Sequence, residues 1–189
     1  MEKKNLPQIA RQLRIFFVIW ASEYHLSPRE IMRLAGIKNR MMLKRDLEDI
    51  RGSGLFKARY IASKRGGVYV IESAEFDESA GERKKAHFRH LRRLADFLTE
   101  LEPVDPYMLG EYKEGLREYD EVADALRRID AIAKYRELFP ECSDRTRQRD
   151  FAVINAAGRM NEEELAFGLY HPRGFKSLVF KCESENYER

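Results

Sequence analysis

Apolar positions change period along the first 73 residues, and the changes predict three helices and a hairpin. Ile9, Leu13, Phe16, Phe17 and Trp20 recur at helical spacing within Leu6–Tyr24, with further apolar residues widening the buried face. The stretch Ile15–Ala21 follows Arg11 and Arg14 and is short, so it reads as a buried helix rather than a secretory leader. A second helix opens on Ser27, Pro28 and Glu30, which have the spacing of a capping box with proline at the first helical position, and it should end near Ala35-Gly36. Asn39 is a suitable cap for a third helix with Leu43, Leu47 and Ile50 on one stripe, stopped by Gly52-Ser53-Gly54. The period then shortens to that of a strand. Lys57–Ala62 and Val68–Glu72 are β-branched and aromatic runs flanking Ser63-Lys64-Arg65-Gly66-Gly67, a turn whose glycines suit a tight hairpin.

Beyond an acidic, unpatterned stretch at Glu75–Glu82, Phe88, Leu91, Leu94, Ala95, Leu98 and Leu101 mark an amphipathic helix running from Lys84 and ended by Pro103 and Pro106. Its apolar stripe can be covered by the flanking domains or by a symmetry mate. A helical run at Tyr112–Arg128 follows, and Asp130 caps a short helix reaching Phe139. A shift of 104 residues then lays Arg45-Asp46-Leu47 on Arg149-Asp150-Phe151, Ile50 on Ile154, Gly54 on Gly158 and Asn39 on Ser143. His171-Pro172-Arg173-Gly174, between apolar runs at Leu165–Tyr170 and Phe175–Cys182, matches the first hairpin turn. This repeat predicts a mainly α, α+β chain with small β-hairpin wings, in which tandem winged helix-turn-helix domains are joined by helices. The expected divisions are residues 1–74, a linker with connecting helix at 75–106, and a second winged-helix-like domain at 107–189.

Charge sharpens this picture. The whole chain of 189 residues carries a formal +3, but residues 1–73 hold 15 Lys and Arg against 7 Asp and Glu, while residues 74–140 are net −4 and residues 141–189 net −1. Contact with a polyanion should therefore concentrate at the amino-terminal end. Apolar content of 43% is that of a globular protein, and the absence of an apolar run of membrane-spanning length points away from a membrane protein. Cys142 and Cys182 lie far apart with no ligand cluster, which favours a reducing compartment and a cytoplasmic, nucleoid-associated location over a disulfide or zinc framework.

Residues Ser27–Leu55, S-P-R-E-I-M-R-L-A-G-I-K-N-R-M-M-L-K-R-D-L-E-D-I-R-G-S-G-L, resemble the amino-terminal helix-turn-helix of DeoR-type and WYL-domain bacterial transcription regulators. The segment C-S-D-R-T-R-Q-R-D-F-A-V-I-N-A-A-G, with Ser143, Arg145, Thr146, Gln148, Arg149 and Asp150, resembles the same signature. The resemblance implies binding of double-stranded operator DNA through the third helix. The chain departs from those families in lacking a sugar-phosphate-sensing or WYL domain, and in placing Arg147 where Leu43 stands in the first copy.

With Leu43, Leu47 and Ile50 inward, Met41, Lys44, Arg45 and Glu48 point outward, and Asn39 and Arg40 stand at the helix start. Such a face can meet base edges and phosphates, and Lys64 and Arg65 on the turn can reach phosphate or the minor groove. Asp46 is expected to orient Arg45 or to bond to helix one. In the second copy Arg145, Gln148 and Arg149 point the same way, in an acidic context that suits dimerisation or protein recruitment as well as DNA. Arg147, turned inward, requires an acidic partner or a rotated helix. His87 and His90 have no third ligand in register, and no nucleophile or phosphate-loop motif occurs, so neither metal, cofactor nor catalysis is expected. The expected molecule is a transcriptional regulator, a homodimer on DNA. A protein-interaction adaptor that uses winged helices as scaffolds is the alternative.

Overall fold

A computed structural model describes residues 6–21, 26–62, 67–101, 130–159, 166–171 and 177–183. It is an α+β protein, with six helices and two antiparallel hairpins among the described residues. The chain divides into two compact units, Met1–Asp96 and Phe97–Arg189.

In unit one, α1 (Gln8–Ala21) is buried on every side from Ala10 to Ile19 except at Arg11, and it packs against α2 (Pro28–Leu34) and α3 (Arg40–Gly52). The capping box at α2 is complete: the Glu30 N–H donates to Ser27 Oγ, and the Ser27 N–H donates to the Glu30 carboxylate. Asn39 caps α3 by accepting the Met41 N–H at 2.8 Å. Leu43, Leu47 and Ile50 all point into the core, as their spacing predicts. Strands β1 (Lys57–Ile61) and β2 (Val68–Glu72) pair antiparallel, with Lys57 opposite Glu72 and Ile61 opposite Val68. The turn bearing Lys64 and Arg65 lies outside the described residues.

The acidic stretch after β2 is more than a tether. Ser53 and Phe76 form an isolated antiparallel bridge, the Asp77 N–H donates to the Gly52 carbonyl at 2.9 Å, and the Phe76 ring meets Phe88 edge-on at 6.1 Å. One aromatic residue in an otherwise polar run thus anchors the segment, a long-range contact without local periodicity. Phe88 belongs to α4 (Glu82–Thr99), whose last turn falls in unit two.

Unit two repeats the order of helix, helix and hairpin. Its helices are α5 (Ala131–Leu138) and α6 (Asp144–Gly158), and its hairpin pairs β3 (Ala166–Tyr170) with β4 (Val179–Glu183). The same 104-residue shift that aligned the sequences carries the end of α2, Leu34, onto the end of α5, Leu138, and the start of α3 onto the start of α6. Asp130 caps α5, and Ser143 caps α6 through the Thr146 N–H at 3.2 Å. Phe97, Tyr135 and Phe151 form the aromatic centre of this unit with ring centres 5.3 to 5.6 Å apart, Phe97 stacked on Phe151 and Tyr135 edge-on to both. The helical run expected at Tyr112–Arg128 lies outside the described residues.

Gly54 and Gly158, matched by the shift, both exclude a side chain, for different reasons. Gly54 has φ +74° and approaches the Phe76 backbone, whereas a Cβ on Gly158 would stand 1.7 Å from the Phe167 carbonyl oxygen. A backbone atom cannot step aside as a side-chain tip can. Gly158→Ala should therefore cost about 3 kcal/mol and lower the midpoint of chemical denaturation, with β3 the first element to lose amide protection.

Candidate functional site

The site is built on the outward side of α3. Because Leu43, Leu47 and Ile50 are buried, the helical repeat turns Arg40, Met41, Lys44, Arg45 and Glu48 to solvent, and all five are exposed. Two hollows flank the first turns. One, of about 320 Å³, runs between α3 and the hairpin and is lined by Arg40, Met41, Lys44, Glu48, Tyr60 and Tyr69, among others. The other, of about 330 Å³, lies on the α1 side and is lined by Gln8, Arg11, Asn39, Met41, Met42 and Arg45.

Tyr60 and Tyr69 sit opposite each other across the hairpin with rings 5.7 Å apart, and the Arg40 guanidinium lies 5.7 Å from the Tyr60 ring centre. Burial raises the Tyr69 hydroxyl above its ordinary value, against the pull of Arg40. Sequence reasoning missed both tyrosines as site residues. Their signal was the apolar-aromatic alternation of the strands, which tells how a strand is covered and not which helix its exposed ring adjoins.

Some cations of this unit are ion-paired and others are not. Arg11, Arg51, Lys57, Arg59, Lys84 and Lys85 are all ion-paired. Lys38, Arg40, Lys44 and Arg45, which lie together on or just before α3, make no ion pair among the described residues, and neither do Arg29 on α2 or Arg83 and Arg89 on α4. Glu48 pairs with Arg51 at 3.4 Å.

Behind α3 the arrangement is reversed. Asp46, with only 1% of its side chain exposed, accepts two hydrogen bonds from Arg11, at 2.6 Å from Nε and 2.9 Å from Nη2, and a third from Gln12 at 3.2 Å. Of the two roles open to Asp46 in the sequence, the structure has the bond to helix one. Gln12 also donates to Asp49 at 2.9 Å, as Gln8 does at 3.0 Å. With both amide protons spent on carboxylates, the Gln12 oxygen accepts from His87 Nε2 at 2.7 Å. The polar pair Arg11-Gln12 inside an apolar helix was the available sequence signal for this network. Among the described residues no cluster of His, Cys, Asp or Glu is arranged to hold a metal ion.

In unit two, Arg145, Gln148 and Arg149 are exposed on α6, and neither arginine is ion-paired among the described residues. Asp150 repeats the role of Asp46, buried and accepting the Tyr135 hydroxyl at 2.6 Å. Arg147 is 8% exposed and reaches back to Asp144 at 3.0 Å, with its guanidinium 5.6 Å from the Phe151 ring centre. The inward arginine thus has the acidic partner it needed, one turn earlier on its own helix. No protein-family model, curated protein or solved structure matches the chain. Among the described residues no helix is long and apolar enough to cross a membrane.

Two outcomes test this network. Asp46→Ala leaves the Arg11 guanidinium without its carboxylate and should destabilise unit one by about 3 kcal/mol in urea titration. Burial holds His87 below the ordinary imidazole value, outweighing the attraction of Asp49 and Asp46. The neutral ring is then favoured in the fold, so the stability it contributes is full above about pH 6.5 and declines as the pH falls from there towards the lowered value. The thermal midpoint should drop between about pH 7 and 5.5, above the range in which Glu30 and Asp144, both held below ordinary carboxylate values by their hydrogen bonds, are protonated. His87→Gln should flatten that drop.

Proposed function

We propose that the chain is a sequence-specific transcriptional regulator that binds double-stranded DNA through α3 of unit one. In this reading units one and two are tandem winged helix-turn-helix domains, the β1–β2 hairpin is the wing, and the molecule is a cytoplasmic, nucleoid-associated homodimer without catalytic activity. The observation that carries it is a cluster of cations: Lys38, Arg40, Lys44 and Arg45 lack ion pairs among the described residues and stand together on or just before α3, whereas the other such cations of the unit, Arg29, Arg83 and Arg89, stand on α2 and α4. Grouping like charges raises self-repulsion, which a phosphate backbone relieves with release of its counterions. A helix face with Lys44 and Arg45 one turn beyond its start can reach guanine O6 and N7 in the major groove, with Arg40 and Asn39 near the sugar-phosphate chain. Lys64 and Arg65 would add phosphate contacts from the turn. Arg145, Gln148 and Arg149 form a weaker second face in a net-negative segment, suited to dimerisation or to recruiting another protein.

One observation favours the rival reading, an adaptor that binds protein. Met41, Met42, Tyr60, Ile61 and Val68 are exposed and apolar on the same unit. The two readings separate in one experiment. Wild-type protein should retard duplex DNA in a salt-sensitive manner, and Lys44→Ala with Arg45→Ala should weaken retention by at least about tenfold and reduce the salt slope by about one per lost phosphate contact, with the fold intact. Arg149→Ala should matter less. Indifference of the wild type to duplex, or a larger effect of Arg149→Ala than of the double variant, would overturn the assignment.

A further inference from the structure

Every exposed large apolar side chain among the described residues belongs to unit one, on the first turn of α3 or on the hairpin. Met41 is the most exposed of them at 57%, and it alone lines both hollows beside α3. Its surroundings are cationic: Arg40 precedes it, and Lys44 and Arg45 follow one turn later, none of them ion-paired among the described residues. A thioether chain in that setting offers phosphate nothing, and it has no strong donor or acceptor for a base edge. What it can do is cover an apolar group. In a duplex major groove the only such group on a base edge is the C5 methyl of thymine.

We infer that Met41 is a specificity-determining residue that selects thymine in the bound duplex, packing its thioether on the C5 methyl while Lys44 and Arg45 occupy adjoining positions. This rests on the reading of unit one as the DNA-binding unit. The cationic rim argues for DNA over a protein as the occupant, since an apolar patch ringed by unpaired Lys and Arg complements a polyanion that carries methyl groups. The 104-residue shift supplies a control within the chain, for it places Arg145 where Met41 stands, so the selection belongs to unit one alone. Met42, 39% exposed on the other hollow, faces away from the hairpin groove and is not required.

The test uses the full chain. Duplexes retained from a randomised pool are remade with deoxyuridine replacing each thymine in turn, which removes one methyl and leaves the pairing edge unchanged. The expected result is a loss of about fourfold in affinity at one or two positions, the value of one buried methyl group. Met41→Ala should bind thymine and uracil forms equally while keeping its salt dependence, and Met41→Leu should restore the preference. Retention without any uracil effect, or an unchanged effect in Met41→Ala, overturns this inference and leaves the DNA-binding reading standing. If no duplex is retained, or if Met41→Ala costs only the binding of a co-purifying protein, both fall together.

Discussion

The rotation of α3 about its own axis depends on one buried carboxylate. Asp46 lies against α1, where Arg11 and Gln12 supply three donors, and it cannot leave that position without stranding Arg11. An ion pair of this kind adds little net stability compared with well-packed apolar residues, because desolvating both groups costs nearly what their attraction returns. Its effect is on geometry. Leu43, Leu47 and Ile50 would also tolerate modest rotations of the helix, since apolar contacts are not directional, but a two-toothed guanidinium–carboxylate contact is. Fixing Asp46 inward fixes Lys44 and Arg45 outward, so the buried polar network determines which side chains the outer face presents. No buried side-chain nitrogen or oxygen among the described residues is left without a partner, which keeps the cost of the network low.

Unit two solves the same problem with other atoms. Asp150 occupies the matching position on α6 and is held by the Tyr135 hydroxyl, within a cluster of Phe97, Tyr135, Phe139 and Phe151. Here a phenol hydroxyl in an aromatic setting donates to the buried carboxylate. The inward slot that Leu43 fills in unit one holds Arg147, which Asp144 neutralises from the preceding turn. The helix–hairpin frame therefore persists while its supports are exchanged, and the outer face is free to change as well.

What could be read from the residues was local. Helix caps at Ser27, Asn39, Asp130 and Ser143, the glycines at the ends of α3 and α6, and the inward stripe of α3 all rest on contacts within a few residues, and they stand as their chemistry predicts. What escaped was contact across the sequence. Phe76 looks like part of a spacer until Phe88 and Ser53 are brought to it, and Tyr60 looks like any strand aromatic until Arg40 lies over it. The network of Gln8, Gln12, Asp49 and His87 joins three helices, and no spacing within one helix announces it. The two possible partners of Asp46 were equally good in one dimension and were decided by which helix lies behind α3.

The comparison of the two outer faces carries the functional argument furthest. By the shift, Arg40, Met41, Lys44 and Arg45 in unit one correspond to Asp144, Arg145, Gln148 and Arg149 in unit two. With Glu48 and its match Ala152 included, the first set has three positive charges and one negative charge engaged with Arg51, and the second has two positive charges and one negative charge engaged with Arg136 and Arg147. Both sets occupy helices of the same register, capped alike and anchored by a buried aspartate at the same place. Since folding requirements are met equally in both units, they do not account for the excess charge or the exposed methionine of the first. On the proposed reading those residues answer to something outside the chain, an anionic partner that also offers apolar contact.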